Sequence, residues 1–226
     1  ELINLGLGDD GRLHFASRQA FHLENHLYQL TEKLANQHHF LVADSVVKTV
    51  AARYGLNESQ KKALAHLTQT SDLALVVGVA GSGKTYLLKA AYEVWQAAGY
   101  RVQGVAFQGR AAAALENDSG IPSHTISRFL HLVKAGHLKL DAKTIIVMDE
   151  MGMTALDDMQ QVIKIVEAAG SGFKGVGDTE QTQPIGRGAP MRAMMEAAGC
   201  VRMDTIIRQQ VDWQKAATLA METQSP

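Results

Sequence analysis

The sequence predicts an α/β fold in which helices cover both faces of a parallel β-sheet. From Leu56 onward, five short apolar stretches alternate with helical patterns, which is the order of elements in folds of this class. A glycine-rich loop directly follows the first stretch, at the point where a buried strand passes into a helix. Hydrophobic residues make up 46% of the 226 residues, which is enough to pack a sheet on two sides.

The apolar stretches predict strands that are buried on both faces. They are Leu73 to Val77, Arg101 to Ala106, Thr144 to Met148, Phe173 to Val176 and Val201 to Met203. Parallel strands end at one edge of their sheet, and ligands bind at that edge. The loops that follow these strands are therefore the first candidates for a functional site.

The N-terminal part of the chain has a different pattern. Arg18 to Asn36 and Asp44 to Tyr54 carry apolar residues at three- and four-residue steps, so each stretch predicts a helix. A glycine-rich turn, Gly6 to Gly11, precedes them. We expect a small helical appendage over residues 1–52 and one α/β domain over residues 53–226.

Composition argues against several classes of protein. No apolar stretch approaches the ~20 residues of a membrane span, and no signal segment opens the chain. The single cysteine, Cys200, cannot form an internal disulfide and argues against a zinc site. We therefore expect a cytoplasmic protein without membrane contact. Because the chain starts at Glu1 rather than Met, we also expect a fragment of a longer protein.

The glycine-rich loop has the pattern of a phosphate-binding loop, and a chance match to this pattern is rare. Its residues are Gly78, Val79, Ala80, Gly81, Ser82, Gly83, Lys84 and Thr85. Glycines let backbone N–H groups point at an anion, and the following helix, Lys84 to about Ala98, adds the positive end of its dipole. We predict that Lys84 reaches the β- and γ-phosphates of ATP, that Thr85 binds Mg²⁺, and that Tyr86 belongs to the nucleotide site.

Two acidic residues, Asp149 and Glu150, directly follow the predicted strand Thr144 to Met148. If that strand neighbours the one before the phosphate loop, both carboxylates lie beside the phosphates. We predict that Asp149 binds Mg²⁺ and that Glu150 polarises the attacking water as a general base. A solvated strand end is the alternative for such a pair on its own, but its place after a phosphate loop favours the catalytic interpretation.

Three further polar residues are candidates for the same site. Gln181 could sense the γ-phosphate, because an amide can accept from the attacking water and donate to a phosphoryl oxygen. Arg208 could stabilise charge on the transferred phosphoryl group. For these two, a loop glutamine and a surface arginine are the alternatives. Gln60 could read adenine, although Asn57 and Gln60 also have the spacing of a helix capping box, and both roles can coexist.

Charge is unevenly distributed along the chain. A net charge of −1 gives no overall attraction to nucleic acid. Lys and Arg outnumber Asp and Glu between Arg101 and Lys143, whereas acidic residues predominate from Thr144 to Thr205. The basic stretch could bind an anionic polymer, and an ordinary solvated surface is the alternative.

With these residues assembled, the chain resembles the RecD-like superfamily 1 helicases, and more closely the helicase segment of Ti-type conjugative transfer relaxases. The resemblance covers roughly residues 12–221. Its motifs stand in the order of the family, namely Leu56 to Gln60 as Q motif, Gly78 to Thr85 as Walker A, Val105 to Leu115 as motif Ia, Gly120 to Thr125 as a DNA-contacting motif, Asp149 to Met153 as Walker B, Gly177 to Gly186 as motif III and Ile207 to Gln209 as motif IV. In motif III, Thr182 replaces the leucine that the family commonly has.

The resemblance implies a RecA-like P-loop NTPase domain, helicase domain 1A, that uses ATP with Mg²⁺ and moves on single-stranded DNA in conjugative transfer. It also implies a relaxase domain upstream in the same polypeptide and a second RecA-like domain downstream, without which the chain should not unwind DNA. The DNA contacts that it implies are Gln108, Arg110, His124, Thr125 and Arg128.

Two other classes of function remain open. The chain could be a docking module that binds single-stranded DNA without hydrolysing ATP, or a P-loop kinase. Lys84 and the acid pair argue against a decayed site. A kinase should carry a lid with arginines, whereas Gln181 and Arg208 stand in helicase order.

Overall fold

The computed structural model of the protein describes residues 2–7, 13–79, 81–178 and 190–203. The N-terminal elements are β1 (Leu2–Leu7), β2 (Leu13–Ser17), α1 (Arg18–Ala35), α2 (Asp44–Arg53) and α3 (Glu58–Gln69). They are followed by β3 (Leu73–Gly78), α4 (Lys84–Ala97), β4 (Arg101–Ala106), α5 (Gly109–Ser119), β5 (Ser123–Thr125), α6 (Ile126–Lys134), β6 (Thr144–Met148), a 3₁₀-helix (Met151–Met153), α7 (Leu156–Ala168), β7 (Gly172–Gly177), α8 (Pro190–Ala198) and β8 (Val201–Met203). None of the helices in these ranges combines the length and apolarity needed to cross a membrane.

A six-stranded parallel sheet, in the order β5-β4-β6-β7-β3-β8, forms the centre of the described chain. All five predicted strands belong to it, so the predicted α/β fold with a parallel sheet is confirmed. The sixth strand, β5, was not predicted from the sequence. Its three residues are Ser, His and Thr, which form no apolar run.

Helices cover both faces of this sheet because its central strands are apolar on both sides. In β3, Ala74 and Val76 pack with buried residues of α2, α3 and α4. Leu73, Leu75 and Val77 point the other way and pack with α1, α6, α7 and α8. Burying each such Val or Leu side chain contributes roughly 1.5–3 kcal/mol, so the side chains of one strand stabilise the packing of helices on both faces of the sheet. This is why β3 has a continuous apolar sequence rather than an alternating one.

The N-terminal segment differs from the predicted helical appendage. Before its two helices it contains an antiparallel hairpin, in which β1 pairs with β2 from Leu2 opposite Ser17 to Leu7 opposite Leu13. In β1, Ile3, Leu5 and Leu7 alternate with Asn4 and Gly6, but Gly6 also begins the glycine-rich stretch that predicted a turn, so the strand was not predicted. The helices themselves are confirmed, and Ser17 caps α1 by accepting from the N–H of Ala20. Because α1 contacts α7 and α8, and α2 contacts α3 and α4, both helices belong to the layers over the sheet.

The strand order determines which loops meet at the carboxyl edge of the sheet. β7 lies between β3 and β6, with Val77 paired to Gly177 and Met148 paired to Gly175. The strands before the phosphate loop and before the acid pair are therefore not neighbours. The prediction that the carboxylates lie directly beside the loop required these two strands to be neighbours. The residue that follows β7, Asp178, comes between them instead.

Candidate functional site

The phosphate loop has the backbone that its glycines allow. Gly81 and Gly83 have φ angles of 80° and 85°, in the left-handed region where a side chain is strained, and Gly83 is the N-cap of α4. At Gly78 the requirement is space, because an added Cβ would lie 2.5 Å from the Oγ of Ser82. The loop therefore needs glycine at three of its positions for physical reasons, as its sequence pattern predicts.

Lys84 begins α4 and turns its side chain back into the loop. Its Nζ donates to the carbonyl oxygen of Gly78 at 2.5 Å and to that of Val79 at 3.2 Å. The Oγ of Ser82 is buried in the same loop and has no hydrogen-bond partner. A buried hydroxyl without a partner costs roughly 1–3 kcal/mol, so a phosphate oxygen that accepted from it would remove this penalty. The loop thus fits the phosphates of a nucleotide.

Asp149 and Glu150 lie at the end of β6, where the backbone turns sharply into the 3₁₀-helix. The N–H of Glu150 donates to the Oδ1 of Asp149 at 2.9 Å. Asp149 is partly buried, whereas Glu150 is exposed. Burial raises the pKa of Asp149 to about 6; the hydrogen bond from Glu150 opposes this shift, and the Glu150 charge adds to it. A cation bound beside Asp149 would favour the ionised carboxylate and lower this pKa.

One cavity of about 640 Å³ brings the loop and the acid pair together. Its lining residues are Gly81, Gly83, Lys84, Thr85, Tyr86, Lys89, Ala111, Ala114, Leu115, Asp118, Asp149, Glu150, Gly152, Met153, Gly177 and Asp178. Within the described ranges, no group of three or more His, Cys, Asp or Glu side chains could hold a metal ion by itself. Thr85 and Asp149 fit Mg²⁺ nonetheless, because this ion usually takes one or two protein ligands together with phosphates and water.

Asp178 is a residue of this site that we did not single out from the sequence. It directly follows β7, its side chain is almost fully buried, and its Oδ2 lies 4.0 Å from the Nζ of Lys84. Asp149 follows β6 in the same way. The rule that identified Asp149, an acid immediately after a buried strand, would also have found Asp178.

Gln60 forms the predicted capping box and retains an unused donor. Its backbone N–H donates to the Oδ1 of Asn57 at 2.9 Å, and its Oε1 accepts from the N–H of Asn57 at 3.2 Å. The Nε2 of Gln60 is buried without a hydrogen-bond partner. The capping role is therefore confirmed, and the donor that a base would need is available.

Tyr86 connects the phosphate loop to the segment before α3. Its hydroxyl donates to the carbonyl oxygen of Tyr54 at 2.9 Å, and the two rings lie 5.4 Å apart. Tyr86 is also exposed and lines the cavity. The residues just before α3, the helix that carries Gln60, are thereby held close to the loop.

The residues predicted to contact DNA lie around the carboxyl ends of β4 and β5. They are Gln108, Arg110, His124, Thr125 and Arg128. Ala106 of β4 is paired with Thr125 of β5, which brings the starts of α5 and α6 together. The Oγ1 of Thr125 accepts from the N–H of Arg128 at 3.2 Å, so this hydroxyl caps α6. Arg110 and Arg128 are exposed, as a phosphate contact requires.

Three predicted site residues lie outside the described ranges. They are Ala80 in the phosphate loop, Gln181 after β7, and Arg208 after β8.

Comparisons with known proteins identify relatives of this chain. A family model described as AAA domain matches residues 55–226. The conjugal transfer protein TraA of Agrobacterium fabrum is 37% identical over 220 residues, which are 97% of this chain and 20% of TraA. The ATP-dependent RecD2 DNA helicase of Deinococcus radiodurans is 29% identical over 162 residues, covering 70% of this chain and 22% of RecD2. The multifunctional conjugation protein TraI of Escherichia coli is 29% identical over 172 residues, covering 71% of this chain and 10% of TraI.

The chain thus spans about a fifth of the length of TraA. The resemblance to conjugative relaxases and RecD-like helicases that the motifs indicated is confirmed by these relatives, and the parallel sheet with its phosphate loop is that of a P-loop NTPase. Because the family model covers most of the chain, from the residue before Leu56 to the C-terminus, the chain belongs to the AAA domain family.

Proposed function

We propose that the chain is the ATP-binding motor domain of a superfamily 1 DNA helicase that acts on single-stranded DNA in conjugative transfer. The observation that carries this proposal is the convergence of the phosphate loop and the acid pair on one cavity at the carboxyl edge of the sheet. Both groups of residues follow buried strands, so they are held in place by the core. A cavity of this kind fits phosphoryl transfer, in which positioning and charge stabilisation provide most of the catalysis.

Three residues that line the cavity, Thr85, Asp149 and Glu150, have a role in this proposal. Mg²⁺, when bound, supplies positive charge to the phosphates and orients them. Thr85 and Asp149 are its proposed ligands. Glu150 is exposed at the cavity, where it can hold a water and accept its proton. By resemblance to the family, Gln181 senses the γ-phosphate and Arg208 stabilises the charge that develops on it.

The base of the nucleotide is assigned to the first turn of α3, which carries Gln60. The unpartnered Nε2 of Gln60 can donate to a ring nitrogen of adenine while the Oε1 remains in the capping box. Tyr54 lies shortly before α3, and its contact with Tyr86 supports a position for this turn close to the loop. ATP is therefore the proposed nucleotide.

Single-stranded DNA is assigned to the corner formed by β4, β5 and the starts of α5 and α6. Arg110 and Arg128 are exposed there, and the strands that precede their helices are paired with each other. If each arginine neutralises one phosphate, replacing both by Ala should reduce the slope of log affinity against log salt by roughly 1.4 for single strands. Lys164→Ala, which changes an exposed lysine on α7, is the control.

The relatives support a proposal for the partners of the whole protein. Since the chain spans about a fifth of TraA, we assign the remaining functions to other parts of a longer polypeptide. A relaxase domain upstream and a second RecA-like domain downstream are the parts that the resemblance implies, in a cytoplasmic protein. Unwinding then needs the second domain.

ATP turnover by the full-length protein tests the proposal. Lys84→Ala should abolish DNA-stimulated phosphate release, because no other described cation lies within the loop. Glu150→Gln should retain ATP binding and lose hydrolysis. Unchanged turnover in Lys84→Ala would remove the motor hypothesis. The alternative, a docking module that binds single-stranded DNA without hydrolysis, predicts DNA binding with no turnover in the wild-type protein.

A further inference from the structure

Asp178 occupies the position between the two halves of the nucleotide site. β7 lies between β3 and β6 in the sheet, so the residue that follows β7 stands between the phosphate loop and the acid pair. The side chain of Asp178 is 4% exposed and that of Lys84 is 17% exposed. An acid and an amine are therefore held close together with little contact to solvent.

Lys84 contacts backbone carbonyl oxygens and a carboxylate of the protein. An ammonium group has three N–H donors, and two of the contacts are to the carbonyl oxygens of Gly78 and Val79. The carboxylate of Asp178, at 4.0 Å, provides the opposite charge. These partners are the first two residues of the loop and the residue after β7, and they form the wall of the loop, whereas a bound phosphate would lie inside it, among the N–H groups of the loop.

We propose that Asp178 is a positioning residue that holds the ammonium group of Lys84 against the wall of the loop until a nucleotide displaces it. This inference rests on the proposed function, since it concerns how the same site passes from its empty to its bound state. A polyphosphate has to compete with the Asp178 carboxylate for Lys84. Asp178 therefore lowers the apparent affinity for nucleotide by the fraction of molecules in which Lys84 is held.

A general repulsion of phosphates by Asp178, or a purely structural role for this residue, would give different results. If Asp178 acts only by repelling phosphates, any acid on the wall of the cavity should weaken nucleotide binding to a similar degree. Asp118 is a suitable control, because it lines the same cavity from α5 and is exposed. If Asp178 serves only the fold, the loss of stability caused by its replacement should not depend on whether Lys84 is present.

The experiment combines nucleotide binding with a double-mutant cycle. ADP without Mg²⁺ is titrated calorimetrically into the wild-type protein and into Asp178→Asn, Asp178→Glu and Asp118→Asn. We expect Asp178→Asn to bind ADP about fivefold more tightly, Asp178→Glu to stay near the wild type, and Asp118→Asn to change affinity less than twofold. Equal tightening in Asp178→Asn and Asp118→Asn would overturn the inference.

The second measurement follows urea unfolding of nucleotide-free Lys84→Met, Asp178→Asn and the double variant. If the two side chains interact, the double variant should lose less stability than the two single changes together, and saturating ADP should remove this difference. Additive changes without ADP would overturn the inference. Absence of ADP binding in every variant, with the interaction between Lys84 and Asp178 intact, would count against the proposed function rather than against this contact.

Discussion

The N–H of Glu150 donates to the Oδ1 of Asp149 at 2.9 Å while the backbone of Glu150 itself is left-handed, with φ 53° and ψ 39°. Among the described residues, Glu150 is the one non-glycine residue with a positive φ. This conformation costs roughly 1–2 kcal/mol for an L-residue. It turns the chain from β6 into the 3₁₀-helix within one residue, so that both carboxylates line the same cavity. Strained backbone conformations of this kind are common at functional sites.

The strain gives a prediction for two variants of Glu150. Glu150→Gly should be more stable than Glu150→Ala by about 1 kcal/mol, because glycine adopts the left-handed conformation without penalty. Urea unfolding of the nucleotide-free protein measures the difference. The comparison with Ala is the control, since both variants remove the carboxylate. Equal stabilities would show that the backbone at position 150 is not strained.

The acid pair also shows how far the sequence could predict the site. Asp149 and Glu150 were predicted because an apolar run ends in two acids, and that pattern is local. The conformation of Glu150 could not be predicted, because no residue type at this position signals a left-handed backbone. Lys84, Thr85 and Tyr86 were likewise predictable from one continuous motif, and they do line the cavity.

Gly175 of β7 is required because a neighbouring side chain fills the place of its Cβ. A Cβ there would overlap the Sδ of Met151 and lie 2.8 Å from a methyl group of Leu75. We expect Gly175→Ala to destabilise the protein by roughly 1–3 kcal/mol, as overpacking in a core does. Thermal or urea unfolding measures the change.

Gly109 is the matched control for this prediction. It begins α5, and an added Cβ would meet nothing within 4 Å. Gly109→Ala should be neutral or stabilising by up to about 1 kcal/mol, because Ala is the better helix former. Similar losses in the two variants would mean that the contact with Met151 does not restrict position 175.

Strand order is the part of the fold that the sequence could not supply. The alternation of strands and helices predicted a parallel sheet, but it does not specify which strands pair. That β7 separates β3 from β6 depends on contacts between residues far apart in the chain, such as Met148 with Gly175. Asp178 follows a buried strand as Asp149 does, but only the strand order shows that it lies next to Lys84.

The burial of Lys174 in β7 predicts that stability depends on pH. It is fully buried, and its Nζ donates to the carbonyl oxygen of Ser71. Burial lowers the pKa of Lys174 from 10.5 to about 7, and the nearby Asp72 opposes this shift. Between pH 7 and about 10, the unfolded chain therefore binds a proton that the folded chain does not. The contribution of Lys174 to the free energy of unfolding should rise with pH across this window, by up to about 1.4 kcal/mol per unit.

Lys174→Met tests this dependence, because it keeps most of the side-chain volume and removes the amine. We expect the variant to gain most over the wild type near pH 6, where the folded wild type must bury a charge, and to lose this advantage by pH 10. Urea unfolding at several pH values measures the difference between the two proteins. Lys164→Met, at an exposed position on α7, should leave the pH profile unchanged. A parallel profile for Lys174→Met and the wild type would show that Lys174 does not titrate in this range.

Two variants of Gln60 can separate its role in the capping box from its proposed contact with adenine. Gln60→Glu keeps an oxygen that can accept from the N–H of Asn57, so most of the capping box should remain, but it removes the Nε2 donor. Gln60→Ala removes both groups. We expect Gln60→Glu to be more stable than Gln60→Ala by roughly 0.5–1 kcal/mol in urea unfolding. Both variants should lose the preference for ATP over GTP in turnover by the full-length protein, because the preference depends on the donor and not on the cap. An unchanged preference in both would leave Gln60 with the capping role alone.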